Sequence, residues 1–352
     1  MTPTPHAPLV LGAPDAFKGT AGAGAVAEAV AAGAAAAGWR CDRCPLSDGG
    51  EGFAEVLAAT GRGDGGEPGH WERTTVTGPL GEPVRARWYL RGDEAVIESA
   101  AASGLPLAGG PEGNDPLAAT TRGTGELIAA ARRAGVRRIL VGVGGSATTD
   151  GGLGALEALE EAGGLGDTEV VVACDVDVAF ADAAPLFAPQ KGASAAQVEI
   201  LRARLESLAD RYRRRRGVDV RALPGAGAAG GLAGGLAVLG ARLVPGFEVV
   251  AGAVGLAGRL AAADLVVTGE GRLDATSWSG KVVGGVSARA RAARRPVLVV
   301  AGAVGPGGEA PGLTVVDLTA RYGAARARAD PTGCVAEAVG VELAGGAFGP
   351  AT

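Results

Sequence analysis

Short apolar runs that end in a glycine- and acid-rich loop and then enter an alanine-rich helical stretch recur along this chain. Residues 8–13 read as a strand, followed by Asp15-Ala16-Phe17-Lys18-Gly19-Thr20 and a helix over 21–37 with Thr20 as its expected N-cap. A strand over 39–46, the loop Asp48-Gly49-Gly50-Glu51-Gly52 and a helix over Phe53–Ala59 repeat the pattern. Strands joined through helices pair in parallel, because the crossover returns each strand in the same direction. Over 72–77, 84–90 and 95–98 the texture changes to short strands joined by turns, an antiparallel insert. Alternation then resumes: a helix over 125–134, a strand over 138–143, the loop 144–150, a helix over 153–162 and a strand over 169–174. Further on come a polar helix over Ala195–Arg216, strands over 264–268, 296–301 and 313–318, and helices over 282–293 and 335–343.

At 352 residues the expected architecture is α/β with two domains. One is a parallel-sheet, Rossmann- or flavodoxin-like domain built from residues 1–62 and 260–352. It is interrupted by a second α/β domain, 63–259, with a partly antiparallel sheet, and ligands are expected at the loops that follow the strands. The net charge of −5 argues against a nucleic-acid partner. The uncharged stretch 222–241 is long enough to cross a membrane, but its seven glycines and its proline read as tight turns around a close-packed helix. No basic region followed by an apolar run opens the chain, so a cytoplasmic protein with no membrane partner is expected, a monomer or homodimer. Cys41 and Cys44 form a lone CxxC with no second pair or nearby histidine, which reads as a structural or incidental pair. The two histidines, His6 and His70, lie near the terminus and in a loop, so any general base is expected to be Asp or Glu.

Only three of the 33 cationic residues are lysines, and each adjoins a glycine: Lys18–Gly19, Lys191–Gly192 and Gly280–Lys281. Glycine lets backbone approach a ligand closely, and an ammonium beside it suits phosphate. Solvated lysines in turns would account for any one of them alone. No Walker A sequence is present, nor a protein-kinase motif set. Gly142, Gly144 and Ala147 fit the looser dinucleotide fingerprint, but the expected acid is displaced to Asp175, 31 residues past Gly144, so an NAD-dependent dehydrogenase is a minor alternative. The loop Gly144-Gly145-Ser146-Ala147-Thr148-Thr149-Asp150-Gly151-Gly152 reads better as an anion cradle of backbone amides and hydroxyls. Asp15, Asp48, Glu51, Asp150, Asp175, Asp177, Glu270 and Asp274 all fall at strand ends or in glycine loops. Helix capping explains single cases; eight on one edge suit magnesium held by one or two carboxylates plus phosphates. Arg272, between Glu270 and Asp274, is a candidate clamp for a substrate carboxylate, and Trp278 in the same loop suits stacking or lid packing. These are the parts of phosphoryl transfer.

With these motifs in order, the chain resembles the bacterial glycerate kinases of the first class. The resemblance runs through Pro14-Asp15-Ala16-Phe17-Lys18-Gly19-Thr20, Asp48-Gly49-Gly50-Glu51-Gly52 and Ala119-Thr120-Thr121-Arg122-Gly123-Thr124-Gly125. It continues through the 144–152 loop, Ala173-Cys174-Asp175-Val176-Asp177, Pro189-Gln190-Lys191-Gly192 and residues 268–274 with Gly280-Lys281. It implies a two-domain α/β kinase with the active site in the cleft between the domains, ATP and Mg2+ as cosubstrates and D-glycerate as acceptor, with 2-phospho-D-glycerate as product; a glycerate 3-kinase or a kinase for a related small hydroxy acid is the alternative. Ala16 stands where the family has serine, Thr149 and Val178 where it has asparagine, and Thr276-Ser277 where it has Gln-Thr. These differences bear on the acceptor more than on the phosphoryl chemistry. The expected roles follow. Lys18, Lys191 and Lys281 neutralise phosphates, and Gly144, Gly145, Ser146 and Thr148 cradle them, with Asp150 and Glu270 beside the nucleotide. Asp175 or Asp177 anchors magnesium, Arg272 holds the glycerate carboxylate, and Asp274 or Asp15 acts as base.

Overall fold

The computed structural model describes residues 7–60, 68–310, 312–346 and 348; His6 and the expected boundary at Arg62 lie outside them. In chain order its strands are β1 (Leu9–Gly12), β2 (Arg40–Arg43), β3 (His70–Thr77), β4 (Pro83–Arg91), β5 (Glu94–Glu98) and β6 (Arg138–Gly142). They continue with β7 (Glu169–Ala173), β8 (Arg242–Val244), β9 (Leu265–Leu273), β10 (Val297–Val304) and β11 (Thr314–Asp317). The chain divides into two compact units, 1–48 with 247–352, and 49–246.

The junctions therefore fall at 48/49 and 246/247 rather than near 62 and 260. Packing explains both shifts. Helix Phe53–Ala59 lies on β4 and β5 and donates its Ala54 N–H to Glu98 Oε1 (2.8 Å) at the end of β5, which ties it to the second unit. Helix Leu256–Ala262 packs on β1, and its Arg259 pairs with Asp42 at 2.6 Å, which ties it to the first.

The first unit's sheet is wholly parallel, in the order β11-β10-β9-β1-β2. Numbered within the unit and read from the β2 edge, this is 2-1-3-4-5, the flavodoxin-like order. Its strands are buried on both faces, so Val10, Leu11, Leu265, Val266 and Val267 read as an unbroken apolar run rather than an alternation. Fully burying each such side chain contributes roughly 1.5–3 kcal/mol. Helices Ala23–Ala36 and Pro331–Ala344 close one face, and their alanines and glycines let them approach closely.

The second unit's sheet runs β3-β4-β5-β6-β7-β8, antiparallel across β3–β4–β5 and parallel from β5 to β8. The antiparallel insert thus continues a parallel sheet instead of standing apart. β8, the three residues between Ala241 and Pro245, has no counterpart among the strands expected from the sequence. Before it, helix Leu232–Val238 packs so tightly on the 144–152 loop that a β-carbon on Gly235 would stand 2.7 Å from Gly151 O. Helix Ala195–Arg216 begins with a capping box between Ser194 and Gln197 and ends at Gly217 in the left-handed region (φ 73°), with Arg213 near Asp219 (3.6 Å). Among the described residues no helix is long and apolar enough to cross a membrane. Cys41 and Cys44 carry free thiols that burial pushes up to about 11, away from the reactive thiolate form.

Candidate active site

The first sheet reverses its order between β1 and β9, and the loops beyond their carboxyl ends are where such sheets take ligands. Past Gly12 the chain keeps following β9. Ala13 N–H donates to Val267 O (2.8 Å), Thr268 Oγ1 to Ala13 O (2.8 Å) and Asp15 N–H to Gly269 O (2.9 Å). It then turns sharply, Phe17 N–H reaching Ala21 O at 2.8 Å. Gly271 on β9 lets this turn lie against the strand: a β-carbon there would stand 3.1 Å from Phe17 Cα and 3.2 Å from Lys18 N. The turn also absorbs Thr20, whose hydroxyl donates to Phe17 O at 2.8 Å. The helix therefore starts at Ala23 with Gly22, not Thr20, as its N-cap.

Two acids from this edge are pushed toward the neutral form. Asp15 is 5 % exposed, and its pKa is pushed up to about 8, by burial first and by the Asp48 charge second, against the pull of the Ala16 N–H and Lys18. Glu270 is also raised, burial outweighing Ser277, Lys281 and Lys18, and its Oε1 is buried with no hydrogen-bond partner among the described residues. Lys18 Nζ stands 3.8 Å from Asp48 Oδ2. Asp274 is the opposite case. Its Oδ1 accepts from Thr276 Oγ1 (2.7 Å) and Thr276 N–H (2.9 Å), capping the short turn Ala275–Trp278, and these bonds lower its pKa. A carboxylate so held is a poor proton acceptor. Trp278 donates Nε1–H to Gly307 O (3.0 Å), which fixes its ring over the neighbouring turn.

A pocket of about 460 Å³ opens among these loops, walled by Lys18, Glu270, Arg272 and Lys281, with Thr319 and Arg328 added from beyond β11. Lys281 Nζ donates to Thr276 Oγ1 at 3.0 Å. Thr319 and Arg328 are absent from the candidate residues of the sequence: Thr319 lies just past the end of β11 and Arg328 in a short helix that follows Gly323, but neither is an acid or a lysine beside a glycine.

In the second unit, Gly142 pairs with Ala173, so the loops after β6 and β7 leave the same sheet edge. Gly144, Gly145, Ser146 and Thr148 follow β6; Asp175, half-buried, and Asp177, exposed, follow β7. Lys191 is only 4 % exposed and donates to Ser146 Oγ (2.9 Å) and Thr148 O (2.6 Å). Burial pushes its pKa down to about 8, with the Asp150 charge opposing. Within this unit the lysine braces the glycine loop. Asp150 accepts from Thr121 N–H and Oγ1 (both 2.8 Å), Gly152 N–H (3.1 Å) and Gly154 N–H (3.2 Å). Burial raises its carboxyl against those donors. Its oxygens join the 120–122 turn to helix Leu153–Glu161, which is structural work. That helix begins nine residues after Gly144, whereas a dinucleotide fold turns from its strand almost directly into the helix. A second cavity in this unit, about 730 Å³, is floored by leucines including Leu201, Leu205 and Leu208, and its Arg204 is bonded to Leu117 O; it suits a polyanion poorly.

The sequence profile described as "Glycerate kinase family" matches residues 10–163 and 160–339. The chain belongs to the glycerate kinase family. It is 40 % identical to a protein named glycerate 2-kinase from Escherichia coli K12 over 328 residues, covering 83 % of this chain and 84 % of the relative. A Bacillus subtilis protein named glycerate kinase is 39 % identical over 328 residues, covering 83 % and 84 %. A solved structure described as glycerate kinase 2 from Salmonella typhimurium LT2 superimposes with a TM-score of 0.78 at 34 % identity, covering 97 % of this chain and 98 % of that one. Membership makes the chain an enzyme with ATP as phosphoryl donor, and with the long loop after β6 it sets the dehydrogenase alternative aside.

Proposed function

We propose that this chain transfers the γ-phosphoryl group of ATP to the 2-hydroxyl of D-glycerate, giving 2-phospho-D-glycerate and ADP. The relative named glycerate 2-kinase supports the position phosphorylated. The observation that carries the chemistry is the β1–β9 switch point, where a buried acid with a raised pKa adjoins a pocket walled by cations.

Asp15 is the better base of the two candidates. A proton acceptor works best with a pKa near the operating pH, which Asp15 has and the hydrogen-bonded Asp274 lacks. It takes the hydroxyl proton as that oxygen bonds to the γ-phosphorus and the β,γ-bridging oxygen leaves with ADP. Lys18 and Lys281 offset phosphate charge, and Arg272, exposed and without an ion-pair partner among the described residues, holds the glycerate carboxylate. We assign the Gly144–Ser146 amides to phosphate oxygens, with Lys191 positioning that loop rather than contacting phosphate itself.

Among the described residues no group of three or more His, Cys, Asp or Glu forms a ready-made metal cage. Magnesium bound mainly through phosphate oxygens and water needs only one or two carboxylates. Asp175 and Asp177, an oxygen-only donor pair beyond β7, fit that demand and are the residues we assign to it. When bound, the ion would draw charge from the phosphates.

A coupled ADP-release assay with D-glycerate, L-glycerate, glycolate, lactate and glycerol tests the reading, with phosphorus NMR to locate the new ester. D-glycerate is expected to turn over fastest and to yield the 2-ester. Absence of glycerate-dependent ADP release would remove the proposal.

A further inference from the structure

The first unit's pocket holds one cation that neither the sequence motifs nor the comparisons single out. We propose that Arg328 is a phosphate-contacting residue and that this pocket receives the polyphosphate chain of the nucleotide. The inference rests on the kinase reading only for the name of the nucleotide; the anion chemistry stands on the pocket itself.

Three arginines lie on the two short helices Leu318–Tyr322 and Ala324–Ala329, and two of them have partners. Arg321 pairs with Glu342 at 2.6 Å. Arg326 pairs with Glu337 at 2.7 Å and lies over the Tyr322 ring, 4.9 Å from its centroid. Arg328 has no carboxylate or carbonyl partner among the described residues, is exposed, and lines the pocket beside Ala324 and Ala327. The small alanines leave the guanidinium room to reach into the space they border. Facing it from other segments are Lys18, Arg272 and Lys281, so four cations share a volume of about 460 Å³ with a single wall carboxylate, Glu270.

Such a surplus exceeds what one carboxylate requires. A glycerate anion brings one charge, which Arg272 alone can meet, whereas a triphosphate brings several, spread over a chain long enough to touch residues from distant segments. Guanidinium presents paired N–H donors that fit two oxygens of one phosphate, which an ammonium does not. Gly302 and Ala303 at the end of β10 keep side chains from filling the middle of the pocket.

The test is calorimetric titration of the full-length chain with inorganic tripolyphosphate and, separately, ATP, for the wild type, R328A, R328K and R326A. The expected results are a roughly tenfold loss of tripolyphosphate and ATP affinity in R328A, a smaller loss in R328K and none in R326A. In steady state the KM for ATP should rise about as much in R328A, with the KM for D-glycerate unchanged, and R326A should match wild type in both. Equal tripolyphosphate affinity in wild type and R328A would overturn the proposal. So would a rise confined to the KM for glycerate, which would put the guanidinium on the acceptor. If the wild type binds tripolyphosphate through Arg328 yet releases no ADP with glycerate, the anion site stands and the proposed reaction falls.

Discussion

Replacing Asp15 by asparagine separates the two roles that its burial creates, a proton acceptor and a strained core residue. In an unfolded chain the carboxyl ionises near 3.8; in the fold, burial and the Asp48 charge hold it protonated up to about 8. Between those values the unfolded chain carries fewer protons than the native one, so stability falls as pH rises from about 4 to about 8 and then levels off. A displacement of about four pH units corresponds to on the order of 6 kcal/mol. Part of that belongs to repulsion from Asp48, which can relax, so about 3 kcal/mol is the expected gain for D15N at pH 8. The asparagine carbonyl can still accept the Ala16 N–H, which Asp15 Oδ1 accepts at 2.7 Å. Thermal unfolding followed from pH 4 to 9 should therefore show wild type and D15N nearly equal at pH 4, with the variant pulling ahead toward pH 8. Its kcat should fall by about 10²–10⁴ with loss of the base. In the wild type kcat/KM should rise with pH through a limb near 8. A variant no more stable than wild type at pH 8, or one that keeps its turnover, would refute this account of Asp15.

Asp274→Ala should keep kcat within a few-fold, because its carboxylate is a cap, and should cost about 1 kcal/mol in denaturant unfolding. Arg272→Ala should raise the KM for glycerate on the order of 10–100-fold with little change in the KM for ATP, as loss of a charged hydrogen bond would. For Lys191 the folded pKa of about 8 lies below the unfolded 10.5, so wild-type stability should gain from this group between those pH values. K191M should lose that gain, read as the wild-type-minus-variant difference in unfolding free energy across the same range.

Much of this fold is written in local pattern. Helix Ala195–Arg216 runs from a capping serine to a glycine, and helix Phe53–Ala59 starts after a glycine loop, so their limits are legible in the chain itself. β8 is only three residues long and takes its place by pairing with β7, a contact no local window records. Thr20 has cap chemistry, but the Phe17–Ala21 turn uses it first. The site divides in the same way. That acids and lysines gather after strands is visible in the sequence; what each does depends on burial. Asp15 and Asp274 look alike as letters, yet one is buried beside like charge and the other is satisfied by a neighbouring threonine. Lys191 and Lys281 both adjoin glycines, yet one braces a loop from inside and the other lines a pocket. Arg328 is one of thirty arginines until the pairing of Arg321 and Arg326 sets it apart.

The most direct check is a crystal structure of this chain with a non-hydrolysable ATP analogue. Phosphate density bounded by Lys18, Lys281 and Arg328 at the carboxyl ends of β1 and β9 is the predicted result. Phosphates seated instead in the leucine-floored cavity beside helix Ala195–Arg216 would contradict it.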